Sequence, residues 1–384
     1  MAEERKVVGQ EEKRAEAPIH GDILQAILSH VPMIDLVPAS QVSKSWLQAV
    51  YSSLHQTNTI KPWLMVHTQA NTSPYVTTTH AYDPRSQVWI EIRQPSVNYV
   101  STLQSSHSTL LFMLSPRKLA FSLDPLHLTW HQAEPPRVWR QNPIIALVDQ
   151  FLVVAGGACD FEDDPLVVEI YDLNSRTWDT CESIPSILRD SPSSTWLSVA
   201  VKEHRMHVTE KKTGVTFSFE PKTKIWYGPY DLLSDHSVYS CVIGSLNNNR
   251  LIMAGVMGDA ENVKSVKLWE LRGELELTRK ELEFGEMPKE MVEILKGESC
   301  WVPSIAMSSM GDFAYIQNPW QPEELVVCEI VNGACKWGSL RNVVVNDRSR
   351  ITQRLVVTCS NVGMLDLKMA MMSDKHRRFS LKDS

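Results

Sequence analysis

Tyr171-Asp172-Leu173-Asn174-Ser175-Arg176-Thr177-Trp178 reads as one β-hairpin: a large apolar residue, an acid, a turn, then a tryptophan seven positions after the first residue. The same order recurs at Tyr82-Asp83-Pro84-Arg85-Ser86-Gln87-Val88-Trp89, at Leu123-Asp124-Pro125-Leu126-His127-Leu128-Thr129-Trp130 and at Phe219-Glu220-Pro221-Lys222-Thr223-Lys224-Ile225-Trp226. The four tryptophans lie 41, 48 and 48 residues apart. An acid followed by proline suits the first two positions of a type I turn, because proline presets φ and the carboxylate accepts from backbone amides. The apolar residue and the tryptophan then sit on neighbouring strands, close enough to pack. Unrelated hairpins would not recur at a near-constant period.

A second strand signal lies upstream of each hairpin. Phe151-Leu152-Val153-Val154-Ala155 runs into Gly156-Gly157, and residues 251–254 run into Gly255, two periods further on. Weaker copies occur at 110–114, 205–208 and 313–316. With an inner strand added, the unit has about four strands, and a glycine at a strand end permits a sharp turn or close backbone approach. Two units with altered turns are read at 266–271, around Trp269-Glu270, and at 325–337, around Cys328-Glu329. Residues 354–367 read as a final strand pair, expected to pair with the first strands around 63–68 and 75–82 and so leave no open edge.

Strand, Gly-Gly, Tyr-Asp and Trp at a period of about fifty residues resembles the kelch repeat, one blade of a β-propeller. The expected fold is therefore mainly β, a kelch-type propeller over residues 60–368 with six blades, seven being the alternative count. WD-repeat propellers are the nearest other architecture, but only Trp178-Asp179 shows their dipeptide.

The front of the chain follows a different period. Asp22 can cap a helix carrying Ile23, Leu24, Ile27 and Leu28 on one face, stopped by Pro32. A short second helix carries Ile34, Leu36 and Val37, and a third, from near Gln41, repeats Val42, Trp46, Leu47 and Val50. Three helices in so few residues bury little among themselves, so apolar surface is left needing cover.

Ile19-His-Gly-Asp-Ile-Leu-Gln-Ala-Ile-Leu-Ser-His-Val-Pro-Met-Ile-Asp-Leu36, followed by Ala39-Ser-Gln-Val-Ser-Lys-Ser-Trp46, resembles an F-box over residues 18–57, the Val42-Ser43-Lys44-x-Trp46 end being the more specific part. Ile19-His20 stands where that family has Leu-Pro, and Pro38 falls in the second helix. F-box followed by kelch repeats resembles the plant kelch-repeat F-box proteins, and 287–295, a helix begun by a proline, is similar to an insertion in that family. The resemblance implies a substrate receptor of an SCF ubiquitin ligase: the F-box on a Skp-type adaptor bound to a cullin, the propeller on a protein to be ubiquitinated. Some members of that group act on enzymes of phenylpropanoid and flavonoid synthesis. By the same resemblance Leu24, Ile27, Leu28, Pro32, Leu36, Val42 and Trp46 form or support the adaptor surface, some of them only by holding the helices together.

Substrate recognition is expected on loops at one propeller face, since the strands are committed to the scaffold. Asp160, Phe161, Glu162, Asp163 and Asp164 form an acidic loop around one aromatic, able to meet a basic patch. The simpler reading of that loop is an ordinary solvated one. Arg137, Trp139 and Arg140 are residue types enriched in interface hot spots, with blade packing an equal alternative for Trp139.

Composition narrows the rest. The 384-residue chain is 43% hydrophobic and 22% charged, enough for a sizeable core. Its net charge of −7 does not suit wholesale neutralisation of nucleic-acid phosphates, so no nucleic-acid partner is expected. The charged N-terminus, MAEERKVVGQEEKR, reads as a disordered arm over 1–17 rather than a secretory signal, and residues 369–384 read as a basic flexible tail. The longest apolar run, 144–159, is broken by Asp149 and Gln150, so no membrane span is expected. Seven cysteines without a CxxC pair fit a reducing compartment, cytoplasmic or nuclear.

No catalytic, metal or cofactor constellation emerges. His204 and His207 fall on opposite faces of a strand, and Cys328 and Cys335 lack partners at zinc spacing. A propeller-type enzyme would require metal ligands or paired carboxylates at the central channel. A cullin-independent kelch scaffold is the third reading.

Overall fold

The computed structural model describes residues 21–55, 61–72, 75–93, 101–157, 167–181, 183–189, 193–233, 237–247, 249–273, 277–298, 301–345, 353–373 and 377–382. Chain contacts separate a helical unit, 1–59, from a second unit, 60–384. The arm at 1–17 lies outside the described residues.

In the helical unit α1 spans Gly21–Leu28, α2 Met33–Ala39 and α3 Lys44–His55. α1 ends four residues before Pro32, which instead begins α2: its carbonyl accepts from the Asp35 and Leu36 amides, and its fixed φ suits a helix entry. Pro38 is tolerated because it sits in the last turn of α2. α3 starts at Lys44 rather than Gln41, because the Ser43 hydroxyl accepts from the Trp46 amide at 3.2 Å and satisfies one of the unpaired donors of the first turn.

Among the described residues of the second unit the strands form six sheets, the six blades of a propeller. The first contains β1 (Trp63–Ala70), β2 (Thr77–Asp83) and β3 (Val88–Arg93). The second has β4 (Leu103–Gln104), β5 (Leu111–Ser115), β6 (Lys118–Ser122) and β7 (His131–Ala133). The third has β8 (Ile144–Val148), β9 (Phe151–Ala155), β10 (Val168–Asp172) and β11 (Thr177–Cys181). The fourth has β12 (Leu197–Lys202), β13 (Arg205–Glu210), β14 (Val215–Glu220) and β15 (Ile225–Asp231). β16 (Val238–Leu246), β17 (Arg250–Gly258), β18 (Val263–Arg272) and β19 (Thr278–Glu286) make the fifth. β20 (Ala306–Met310), β21 (Phe313–Asn318), β22 (Gln321–Val331) and β23 (Ala334–Arg341) make the sixth.

The ring closes through β24 (Gln353–Ser360), which pairs with β1 from Trp63↔Ser360 to Ala70↔Gln353 and becomes the inner strand of the first blade. This is the expected closure, except that one strand and not a pair does the work: after Ser360 the chain turns into α5 (Met364–Ser373), α4 being Lys289–Lys296 in the link from the fifth blade to the sixth. The expected flexible tail at 369–384 is also corrected. α5 covers its start, and β25 (Arg378–Lys382) pairs with β3 as a fifth, outermost strand.

The repeated hairpin is visible as a repeated set of contacts. Tyr82 faces Trp89, Tyr171 faces Trp178 and Phe219 faces Trp226, with ring centroids 5.5, 5.2 and 4.8 Å apart. In each turn the backbone carbonyl of the acid accepts the amide four residues later, and that later residue, Gln87, Arg176 or Lys224, has a positive φ. The Asp83 and Asp172 carboxylates also accept turn amides, as the acid's recurrence suggests. In the second blade the turn follows the same rule, but the strands end earlier: Phe121 stacks on His131, and Trp130 stands just outside the strand.

The predicted close backbone approach is found at Gly157, where a Cβ would lie 2.6 Å from the Asn142 carbonyl. Serines on the inner strands tie blade to blade. Ser198 accepts the Ile243 amide at 2.9 Å, Ser245 donates to the Val201 carbonyl at 2.6 Å, and Ser309 donates to the Ser245 carbonyl at 2.9 Å. The apolar cores lie between neighbouring sheets, as where Ile144, Ala146 and Val153 meet Val199, Val208 and Phe219.

Candidate functional site

Two surfaces have the composition of binding sites, one on each unit. In the helical unit the core is small and filled: Leu24, Leu28, Leu36, Val37 and Val50 are buried. Leu24 and Leu28, one turn apart, face inward from α1, so Leu24, Leu28 and Leu36 hold the helices together and present no surface to a partner. They are the members of the predicted adaptor set that support the surface from within instead of forming it. Ile27 and Val42, by contrast, are 47% and 63% exposed, and Pro32 and Trp46 are half-buried. Ile23 is 68% exposed, and Leu47 and Tyr51 are exposed too, so the sequence reading missed three apolar residues of the open face. The signal was present, since Ile23 belongs to the stripe of α1, but periodicity alone does not separate the inward half of a stripe from the outward half.

In the propeller, Arg137, Trp139 and Arg140 lie in the link from the second blade to the third. Arg137 is exposed and Trp139 packs half-buried against the apolar cluster that contains Leu110, Phe112 and Tyr171. Arg140 is corrected: it has no exposed surface. Its guanidinium pairs with Glu169 at 3.2 Å and donates to the Gly156 and Val167 carbonyls at 2.8 and 2.6 Å. Glu169 in turn accepts the Arg137 and Val138 amides at 2.6 and 3.3 Å. The cluster is a buried brace for the link, and a charge so enclosed is unavailable to a client. Asp160, Phe161, Glu162 and Asp163 lie outside the described residues.

The central channel holds the residues that sequence reasoning did not single out. At the face formed by the β13–β14 and β21–β22 turns and the links between blades, a cavity of about 480 Å³ is lined by Lys211, Arg354, Trp320, Gln317 and several inner-strand serines. Glu210 caps the β13–β14 turn, its carboxylate accepting the Lys212 and Thr213 amides at 3.1 and 2.6 Å, which fixes Lys211 between them. Asn318, fully buried, donates to the Leu295 and Trp301 carbonyls at 3.1 Å and accepts the Trp320 amide at 3.0 Å. It thereby seats the exposed Trp301–Trp320 pair, whose centroids are 5.4 Å apart, beside the mouth. Among the described residues no three His, Cys, Asp or Glu side chains are grouped to hold a metal. His204 is exposed on Asp149 at 2.7 Å, whereas His207 is buried on Ser218 at 2.8 Å. Among the described residues no helix is long and apolar enough to cross a membrane.

Comparison with known proteins fits this division. Residues 22–60 match the F-box-like family, which covers all three helices. Over 367 residues, 92% of this chain and 93% of the relative, the sequence is 47% identical to the F-box/kelch-repeat protein At1g23390 of Arabidopsis thaliana. The chain belongs to the plant F-box/kelch-repeat proteins. A second Arabidopsis thaliana F-box/kelch-repeat protein, At3g27910, is 29% identical over 126 residues, 33% of this chain and 32% of that one. Among solved structures, a chain of a nidogen/laminin complex superposes with a TM-score of 0.39 and 9% identity, covering 78% of this chain and 98% of its own. For this F-box/kelch-repeat protein, then, the helices are the F-box and the six sheets the kelch propeller.

Proposed function

We propose that the protein is a substrate receptor of an SCF-type ubiquitin ligase. Its F-box docks on a Skp-type adaptor and through it a cullin, and its propeller binds the protein to be ubiquitinated. One observation carries the reading: the helices bury Leu24, Leu28 and Leu36 inward while leaving Ile23, Ile27, Val42, Leu47 and Tyr51 in water. Burying apolar area is worth roughly 25 cal/mol per Å², so exposed apolar side chains on so small a unit favour a partner. The chemistry of ubiquitin transfer belongs to other subunits, and this chain contributes proximity by holding client and ligase together. The family resemblance suggests enzymes of phenylpropanoid or flavonoid synthesis as the client class.

The test is capture. A tagged full-length chain should retain a Skp-type adaptor from plant extract, and deletion of residues 18–57 should abolish retention while the propeller still melts cooperatively. Undiminished capture by the deleted protein would reject the assignment.

A further inference from the structure

Lys211 is 8% exposed, and among the described residues its ammonium has no hydrogen-bond or ion-pair partner. Burial lowers its pKa to about 8, with Cys241 and Glu210 acting the other way, so it is still mainly charged at neutral pH. Arg354 lines the same cavity from β24, on the far side of the ring: β24 belongs to the first blade, and the turn bearing Lys211 to the fourth. Burial also pushes the Arg354 guanidinium down, and no carboxylate offsets it. The rest of the described lining is neutral polar side chains such as Gln104, Ser304 and Gln317, His107, whose pKa burial lowers to about 4, and apolar groups, without one Asp or Glu. In a chain of net charge −7, two cations thus line one cavity that no carboxylate lines, the Glu210 carboxylate beside Lys211 being bonded to its own turn amides.

Holding cations out of water costs free energy unless an opposite charge or hydrogen-bond acceptors satisfy them. The shape says what carries that charge. Trp320, Pro319 and Leu355 also border a second, adjoining hollow of about 390 Å³ lined by Thr68, Pro322, Val345 and Gln353. A single small ion would leave this length empty, whereas an extended peptide fills a run of adjoining pockets.

We propose that this mouth of the channel is the client-binding site and that it takes a peptide segment bearing an anionic side chain, a carboxylate or a phosphate, held between Lys211 and Arg354 with an apolar neighbour on Trp320. The proposal rests on the substrate-receptor reading and gives that site its ligand chemistry. The Ser304 hydroxyl supplies a further donor to the anion, and Arg354 offers the planar fork that suits either group.

The test uses the full chain without adaptor, so that its failure leaves the adaptor result standing. A pool of random peptides about twelve residues long, with and without phosphoserine, is passed over the immobilised protein, and retained peptides are sequenced and their affinities measured by fluorescence anisotropy. Retained peptides should be enriched in Asp and Glu or in phosphoserine, and comparison of the two pools tells which group is preferred. Lys211→Met and Arg354→Met should each weaken a retained peptide by about tenfold or more, the loss expected when a charged hydrogen bond is removed. Lys211→Arg, which keeps charge and stem, should bind within about threefold of the original and guards against a folding defect. Retention without anionic enrichment, retention of no peptide, or binding unchanged in both Met variants would overturn the proposal.

Discussion

His67 and Thr358, 291 positions apart in the chain, meet at 3.2 Å across the seam that closes the propeller. The other ring nitrogen of His67 lies 3.1 Å from Thr79, so one imidazole on β1 bridges the strand that follows it and the strand that arrives from the far end of the chain. The ring is fully buried among neutral partners. Desolvation, with a smaller push from nearby His80, lowers its pKa to about 3.

A pH dependence follows from that histidine. The folded-state pKa lies below the unfolded value of 6.5, so the stability tied to neutral His67 is complete above pH 6.5 and is lost as pH falls towards about 3. Each pH unit within that window costs about 1.4 kcal/mol for one proton taken up on unfolding. Urea melts between pH 7.5 and 5 should show this slope, and His67→Gln should reduce it by about one proton. A stability that rises on acidification through this range would contradict the account.

Arg140 and Glu169 supply a second expectation. Neither side chain has exposed surface, and each also holds backbone groups of the link. Removing one partner leaves the other charge buried and unpaired, so Arg140→Met should cost about 3–5 kcal/mol in urea denaturation. Arg137→Ala, at an exposed side chain three residues earlier, should cost within about 0.5 kcal/mol. Near-equal losses would show that Arg140 is not the brace described.

The contrast between Arg137 and Arg140 marks where the sequence stops being legible. The hairpins could be read because their rule is local: an acid, a turn and an aromatic pair seven residues apart specify their own geometry, and even the closing strand could be placed from its need of a partner. Trp130 departed because it packs with the cluster of Leu103, Leu111 and Met113 on the other face of the blade, leaving His131 to stack on Phe121. Burial of a charge is not local. Arg140 is enclosed by β9 and β10, and Lys211 is made special by Arg354 on the opposite side of the ring. A Glu-Lys-Lys-Thr-Gly turn, read alone, is a solvated turn. In the F-box the stripe on α1 was visible, but the division into inward Leu24 and outward Ile27 depended on where α3 packs.

That division predicts two kinds of variant. Ile27→Asp and Val42→Asp place a charge in the open apolar face, so each should abolish adaptor capture in a pull-down while altering stability by no more than about 0.5 kcal/mol. Leu36→Ala removes a fully buried side chain and should cost about 2–5 kcal/mol in the helical unit, lowering capture only through unfolding. If the two surface variants captured adaptor as the original does, the open face would not be the docking surface.

The C-terminal strands should differ sharply in their importance. β24 is an inner strand, paired with β1 along its whole length, and its loss would leave the first blade without the wall that lines the channel. A chain ending at residue 352 should therefore fail to form a cooperative fold, with the unpaired edge of β1 promoting aggregation. β25 is the outermost strand, and a chain ending at residue 373 should keep the ring and lose only a few degrees of melting temperature. That shorter truncation has its own spectroscopic mark. His80, whose pKa is lowered to about 4 by burial first and then by the Lys382 ammonium, lies 3.3 Å from that group. Without β25 both causes weaken, leaving Glu91, which acts in the opposite sense, so the His80 titration followed by NMR should move up towards 6.5. An unmoved His80 titration, or a chain ending at 352 that melts like the full one, would refute the strand order on which the closure depends.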